Sequence, residues 1–427
     1  MMQKDMVVEH RSHMLEHGMN FVADVPTVFH CHHFNLFWDQ TIDDALGHTL
    51  SSTLRTAAAR EAFHDVIAGL AERVGAETPA ERLEVARTVF AGFGHGTLNL
   101  DVNQRGGVGL GRPLHYSHTW QEKYGGWIRR STPADAMAAG FAAAATEVAF
   151  DLPRESVRGV EHSCVARRDR ECTFELKAQE PGSVAGPMGR AQVERAVTPS
   201  ISGLLEDRVG PVEAGLREFS RGMVGDDRGL IQAFGLFATQ TPATYYNRSG
   251  YDAFRHVNRT VPQSAPVMKA LLREAGHVCA FNTFGGILLS PEWEALVGPL
   301  EGAPDEILAA TLSIARALGF GRWCAGEFEP ARRLVLQTPG SYESVYYVSR
   351  EGRAAEPMCF FLQGAVLAVM QLIERVPWRE RPNLSQEFYN QLFRTGLPWQ
   401  ATETQCVSRG DPMCEVVVTR REGGRAG

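Results

Sequence analysis

Cysteine is sparse in this chain, with 8 in 427 residues, far below the density of a small fold stapled by disulfides. An excess of positive charge is missing too. Lys+Arg number 43 against Asp+Glu 50, a net charge of -7, so nothing draws the chain as a whole to phosphate backbones or anionic lipid, and nucleic acid is not an expected partner. No apolar run reaches the roughly 20 residues that cross a bilayer. The two most apolar windows, Met137 to Phe150 and Met358 to Ile373, read as buried helices. The opening MMQKDMVVEHRSH has no apolar core of a secretory signal, and with so little cysteine we expect a cytoplasmic protein. No glycine loop closed by Lys-Ser or Lys-Thr, the phosphate cradle of many ATPases, occurs.

What is present is an ordinary globular composition, 44% hydrophobic and 22% charged, in a chain too long for one core. Segments of it recur. His30-Cys-His-His-Phe-Asn-Leu-Phe37 resembles His277-Val-Cys-Ala-Phe-Asn-Thr-Phe284, and Phe93-Gly94 is answered by Phe320-Gly321. Pro133, Asp135 and Gly140 are answered by Pro357, Cys359 and Gly364, and Glu161, Cys164 and Cys172 by Glu403, Cys406 and Cys414. Matches kept in order over two long segments are the signature of an internal repeat. We therefore expect an α+β protein built of two tandem copies of one α/β module, each with helices first, an antiparallel sheet, and a metal-binding terminal hairpin. The copies span 1–176 and 201–420. Between them 177–200, rich in glycine and proline, reads as a linker, and Ile201 to Arg259 as a partly helical entry arm.

Leu54 to Val74 and Ala80 to Ala91 carry apolar residues at three and four spacing, which predicts amphipathic helices. Leu98 to Val102 and Pro113 to Ser117 predict strands on either side of a glycine-rich loop, Arg105 to Arg112. Arg112-Pro113 follows that loop where a dinucleotide site needs a helix, so the glycines read as a hairpin turn. Val157 to Val165 and Glu171 to Leu176 predict a second hairpin. Its cysteines carry the most specific signal: Glu161, Cys164 and Cys172, then Glu403, Cys406 and Cys414, each a strand, a tight turn and a return that set two thiols opposite each other. Thiolates and carboxylates are ordinary zinc ligands, and a closed structural site takes four. Cys359 supplies the fourth in the second copy. Asp135 stands at that place in the first, a harder and weaker set for zinc.

Pro357-x-Cys359 with Gly364, then Glu403-x-x-Cys406 and Cys414, resembles the 4-vinyl reductase domain of bacteriochlorophyll biosynthesis accessory proteins, archaeal hydrocarbon-binding proteins and the sensory modules of phenol-responsive activators. The resemblance implies a structural zinc on the Cys, Glu, Cys, Cys set beside a buried pocket for small aromatic molecules. The chain departs from the family pattern at Asp135 and in the inserted segment Trp378 to Pro398, and it has neither the ATPase core nor the helix-turn-helix of an activator.

Histidine is lopsided. Of 14, all but His256 and His277 precede residue 163. His30, His32, His33, His95, His115 and His118, with Trp120, form the candidate ligand-binding set of the first copy, and neutral imidazoles there would polarise a ligand or hold a second transition metal such as iron. His10, His13 and His17 read as a solvated helix face. The expected function is to bind a small hydrophobic or aromatic molecule, with zinc as a structural cofactor. The alternatives are a metal-dependent redox enzyme of a biosynthetic pathway using the histidine cluster, so that enzyme status stays open, or a scaffold subunit. A homodimer or another protein subunit is a further expected partner.

Overall fold

The computed structural model describes residues 2–182, 186–197, 201–394 and 399–420. A short helix, α1 (Met2–Glu9), leads into three strands folded back on one another, β1 (Arg11–Met14), β2 (Met19–Val22) and β3 (Val25–Cys31). Next come α2 (His32–Leu46), α3 (His48–Arg73), α4 (Pro79–Gly92), the hairpin β4 (Gly96–Asn103) and β5 (Gly106–Leu114), α5 (His115–Tyr124), α6 (Ala136–Ala149), and the hairpin β6 (Val157–Ser163) and β7 (Cys172–Ala178). The helices α7 (Arg190–Ala196) and α8 (Glu206–Arg221) connect to β8 (Ile231–Ala233) and β9 (Leu236–Pro242). Beyond them lie α9 (Ala243–Thr260), α10 (Ala265–Cys279), α11 (Gly285–Leu288), α12 (Pro291–Leu296) and α13 (Pro304–Leu318). The chain closes with β10 (Cys324–Glu329), β11 (Arg333–Thr338), α14 (Tyr342–Glu351), α15 (Phe360–Arg375), α16 (Gln386–Arg394), β12 (Trp399–Gln405) and β13 (Cys414–Arg420).

The strands form three antiparallel sheets, so the fold is α+β as expected. Two have four strands each in the same spatial order, β4-β5-β7-β6 and β10-β11-β13-β12. The third has five, β1-β2-β3-β9-β8. Its central pair runs from Thr27 opposite Pro242 to Cys31 opposite Ala238, so the N-terminal strands and the middle of the chain share one sheet.

Two helix pairs set the positions of the candidate site. Every residue of the alanine-rich α6 is buried, and Gly140 lets its backbone approach α3 so closely that an added Cβ would lie 2.2 Å from the Thr56 carbonyl oxygen and 3.0 Å from the Arg60 nitrogen. Gly364 of α15 repeats this on α10, 1.8 Å from the Arg273 carbonyl oxygen and 2.9 Å from the His277 nitrogen. Both contacts span one helical turn, so α3 on α6 and α10 on α15 are packed alike. Helix α4 starts where its capping box dictates: the Thr78 hydroxyl accepts the Glu81 N–H, the Glu81 carboxylate accepts the Thr78 N–H, and Pro79 follows the cap.

The structure corrects several local expectations. The glycine run is not a loop but most of β5, with the turn confined to Gln104 and Arg105. Its glycines make room for neighbours: a Cβ on Gly111 would meet Leu114 at 2.6 Å, and one on Gly109 would crowd Leu100 and Phe174. Residues 115–117 begin α5 instead of ending a strand. His10 follows α1, His13 sits in β1 and His17 is buried in the turn to β2, so the three do not share a helix face. His30–Phe37 is a strand-to-helix junction, whereas His277–Phe284 lies within α10 and the π turn after it. The counterpart of the β3–α2 junction is β9–α9, another strand of the central sheet that runs directly into a helix. The stretch 201–259 accordingly holds α8, β8, β9 and most of α9.

Candidate functional site

At the end of β12 the Cys406 carbonyl receives the N–H groups of Arg409 (2.9 Å) and Asp411 (3.2 Å), while the Cys406 N–H donates to the Asp411 carboxylate (2.8 Å). Gly410, at φ 89°, closes this knuckle, a left-handed position that glycine takes without strain. The chain reverses so that the Cys414 sulfur, first residue of β13, accepts the Val407 N–H at 3.4 Å. Cys359, at the N-cap of α15, brings a third sulfur to 3.6 Å from Cys406 and 3.7 Å from Cys414. Glu403 completes the group. One of its oxygens accepts the Cys359 N–H (3.3 Å) and the Gln363 amide (2.9 Å), and the other, Oε1, is buried without a hydrogen-bond partner among the described residues.

The first hairpin repeats this plan with one exchange. The Cys164 N–H donates to Asp169 (2.9 Å), Arg168 occupies the left-handed position at φ 66°, and the Val165 N–H reaches the Cys172 sulfur (3.3 Å). Asp135, at the N-cap of α6, places Oδ2 3.3 Å from Cys172 and 3.7 Å from Cys164. Its own N–H donates to Glu161 Oε2 (2.7 Å), and Glu161 Oε1 has no hydrogen-bond partner among the described residues. Sequence reasoning missed the groups that orient these ligands: the Ser117 hydroxyl, 3.4 Å from Cys172, Ser341, 3.2 Å from Cys359, and the Gln363 amide.

In each group all four ligand atoms lie within 4.8 Å of one another, and all eight cysteines are free thiols. Tetrahedral thiolates on a zinc with bonds of about 2.3 Å are separated by about 3.8 Å, close to the spacings at Cys359. With their unpartnered carboxylate oxygens, both sets fit a divalent cation: Cys359, Glu403, Cys406 and Cys414 as three thiolates and a carboxylate, Asp135, Glu161, Cys164 and Cys172 as two of each. Burial raises the proton affinity of Asp135, Glu161, Glu403, Cys359 and Cys414. Cys406 runs the other way, because the thiols of Cys359 and Cys414 direct hydrogen bonds at its sulfur. A bound divalent cation replaces protons on such ligands.

The candidate histidines divide into an inner and an outer group. His30, His95 and His115 are buried. His30 stacks on Phe34 with ring centroids 3.9 Å apart and has Tyr246, Phe320 and Phe361 around it at 4.7, 5.0 and 5.3 Å, so most of its aromatic surroundings come from the second half. Asn35 links the strands to the inner group. Its amide reaches His115 Nε2 and the Thr239 hydroxyl, both at 3.0 Å, and its carbonyl accepts the Tyr246 hydroxyl at 2.7 Å. The Thr241 hydroxyl lies 3.4 Å from His95 Nε2. Among the described residues His30 Nε2, His95 Nδ1 and His115 Nδ1 are buried without hydrogen-bond partners. Burial depresses all three imidazoles, His95 to about 3, so they are neutral.

His32, His33 and His118 lie outward. The His32 and His33 rings are 4.0 Å apart, Lys123 reaches His33 at 2.9 Å, and the Phe237 ring meets His32 and His118 edge-on. Burial, helped by Lys123, holds His32 at about 4, and burial, with His32 beside it, holds His33 at about 2. Trp120 is buried against Tyr124, with ring centroids 5.8 Å apart. Among the described residues, the groups of three or more His, Cys, Asp or Glu with converging ligand atoms are the two cysteine clusters. The histidines do not form a third. Asn35, Thr239, Thr241 and Tyr246 escaped the sequence reading. Their signal was an aromatic-Asn pair just inside the helix after each central strand, Phe34-Asn35 and Tyr246-Asn247.

No protein-family model matches the chain, and no curated protein matches it, so the 4-vinyl reductase resemblance rests on the motif residues. Among solved structures the chain is similar to the phenol-responsive sensory domain of the transcription activator PoxR, crystallised with phenol, at 15% identity over 41% of this chain and 88% of that one, with a TM-score of 0.31.

Proposed function

We propose that the chain is a cytoplasmic small-molecule-binding protein. Two tandem 4-vinyl-reductase-like modules, 1–176 and 201–420 about a linker at 177–200, hold a compact aromatic molecule with one polar group at the inner histidine network. A zinc ion in each cysteine cluster pins its terminal hairpin to the start of α6 or α15, and no chemistry is required of it. The observation that carries this reading is the set of unpartnered nitrogens on His30, His95 and His115. A buried polar atom left unpaired costs about 1–3 kcal/mol, and a neutral imidazole nitrogen, donor or acceptor by tautomer, is satisfied by a hydroxyl brought in on a ligand. The rings around His30 supply the apolar part of the site.

Calorimetric titration of the full chain with phenol and with toluene tests this. Saturable phenol binding, weaker for toluene and reduced at least about tenfold by His115→Ala, is the expected result. Absence of saturable binding by either molecule, or binding that His115→Ala leaves unchanged, removes the reading. Metal analysis of the same samples checks the zinc assignment.

A further inference from the structure

Away from the histidines, α3, α4 and α6 enclose a concavity of about 420 Å³, a volume that suits a small ligand. Ala68, Ala71 and Val148 give its lining an apolar part. At one end stands Glu147, itself 1% exposed. One of its carboxylate oxygens accepts the Val157 N–H at 2.9 Å, and the other, Oε2, is buried with no hydrogen-bond partner among the described residues.

The second half shows what such a surface does when it is covered. Counting on from the matched contacts of Gly140 and Gly364, His64 answers Phe281, Ala68 falls level with Gly285 and Gly286 after the π turn, and Glu147 and Val148 answer Gln371 and Leu372. There the inserted segment after α15 lies over the helices. The Tyr389 hydroxyl is 2.8 Å from His277 and its ring 5.0 Å from that of Phe281, the Trp378 indole N–H donates to the Leu372 carbonyl (3.1 Å), and Leu384 fills the space a side chain on Gly285 would need. Gln371 Oε1 is 2.5 Å from His277 Nε2. The first half has no insertion, leaves the concavity open, and puts a carboxylate where the second half has a partnered amide.

The cations near Glu147 make their hydrogen bonds to other groups, although Arg60 also pulls on the Glu147 carboxylate and its Nε has no hydrogen-bond partner among the described residues. Arg82 is paired with Asp151 at 2.6 Å and donates to the carbonyls of Ala76 and Val148. Arg60 donates to the Val157 carbonyl at 2.5 Å and lies 3.6 Å from Glu155. His64, which also lines the concavity, is held neutral, first by burial and then by Arg154, at about 4. Glu72 adds a further negative charge at the rim. The balance calls for a cation from outside.

We propose that this concavity binds a small organic cation, a primary amine on a compact apolar body, with the ammonium on Glu147 and the body over Ala68 and Val148. The site is separate from the histidine network and does not depend on it.

Titration of the full chain at pH 8 with benzylamine, benzyl alcohol and benzoate, followed by calorimetry, tests the assignment. Benzylamine alone should bind saturably, and Glu147→Gln should weaken it at least about tenfold, the scale of one charge-assisted hydrogen bond. Ala68→Leu, which fills the apolar part as Leu384 does in the second half, should abolish benzylamine binding while leaving phenol titration as in the wild type. That variant carries the test if Glu147→Gln fails to fold. Benzylamine that does not bind the wild type, or binds both variants as well as the wild type, overturns the proposal.

Discussion

The two cysteine knuckles are the same turn built twice, with Cys406 and Cys164 held by Asp411 and Asp169 in identical ways, yet their fourth ligands differ in kind. Cys359 adds a soft sulfur to one set and Asp135 a hard oxygen to the other. The backbone of the hairpin therefore specifies where a ligand points, while one residue at a helix N-cap sets how well the group would suit a soft metal. Geometry and affinity are set by separate parts of the chain. The largest expected effect follows: Cys406→Ser should release the metal of the second cluster and lower stability by several kcal/mol, since metal binding free energy is folding free energy. Cys164→Ser should cost clearly less. Metal analysis with thermal melts of both variants checks this, and equal losses would mean that the exchange of Cys for Asp has no energetic consequence.

The next comparison is between the helix pairs. A methyl at Gly364 would meet the Arg273 carbonyl oxygen at 1.8 Å, and one at Gly140 the Thr56 oxygen at 2.2 Å. Both are backbone atoms with no rotamer to escape by. We expect Gly364→Ala to destabilise by about 3 kcal/mol and Gly140→Ala by about 2 kcal/mol, within the range for overpacked cores, as read from urea midpoints. A reversed order would show that the alanine-rich α6 is the stiffer partner.

The helix pairs also mark how far the sequence could be read. The buried helices α6 and α15 and the terminal hairpins are legible because their signals are local, an apolar run and a Glu-x-x-Cys spacing, whereas the two glycines stand out only as matching positions and their backbone contacts do not. The N-terminal match is one of letters alone: His30-Cys31 ends a strand, while His277 and Cys279 lie in a helix. Their real relation is spatial, with His30 Nδ1 3.3 Å from the Cys279 sulfur. The central sheet was illegible for a similar reason. Strands β3 and β9 pair across some 200 intervening residues, and no local pattern encodes such a partner. The ion network under α2 was missed as well: Arg55 is buried between Asp39 and Asp43, with Arg130 on the far side of Asp43 at 2.7 Å. These charges come from three separate segments, and each alone reads as a surface residue.

Returning one cluster to the ligand set of the other is a gain-of-function test. Asp135→Cys gives the first group three thiolates and a carboxylate, and it should raise zinc affinity by about thirtyfold, near 2 kcal/mol. Competition with a chromophoric chelator measures it. Unchanged affinity would mean that the first site is limited by its backbone, with Arg168 in the position where the second knuckle has glycine.

The smallest effect separates Glu147 from Gln371. Burial raises the Glu147 carboxyl to about 7, against the pull of the Val157 N–H, Arg60 and the Glu155 backbone, with the Glu155 charge a smaller push upward. An unfolded glutamate titrates near 4.3. The folded chain therefore holds a proton that the unfolded chain has released between these values, so the stabilisation is complete below about 4.3, falls as pH rises through about 7, and is flat beyond. Because the group borders an open concavity, about 1 kcal/mol is a reasonable scale after screening. Glu147→Gln should remove this slope, gaining stability over the wild type by about that amount between pH 4.5 and pH 8. Urea denaturation at the two pH values decides the matter. A bound amine should flatten the wild-type slope in the same way, since a cation on Glu147 stabilises the carboxylate that burial disfavours.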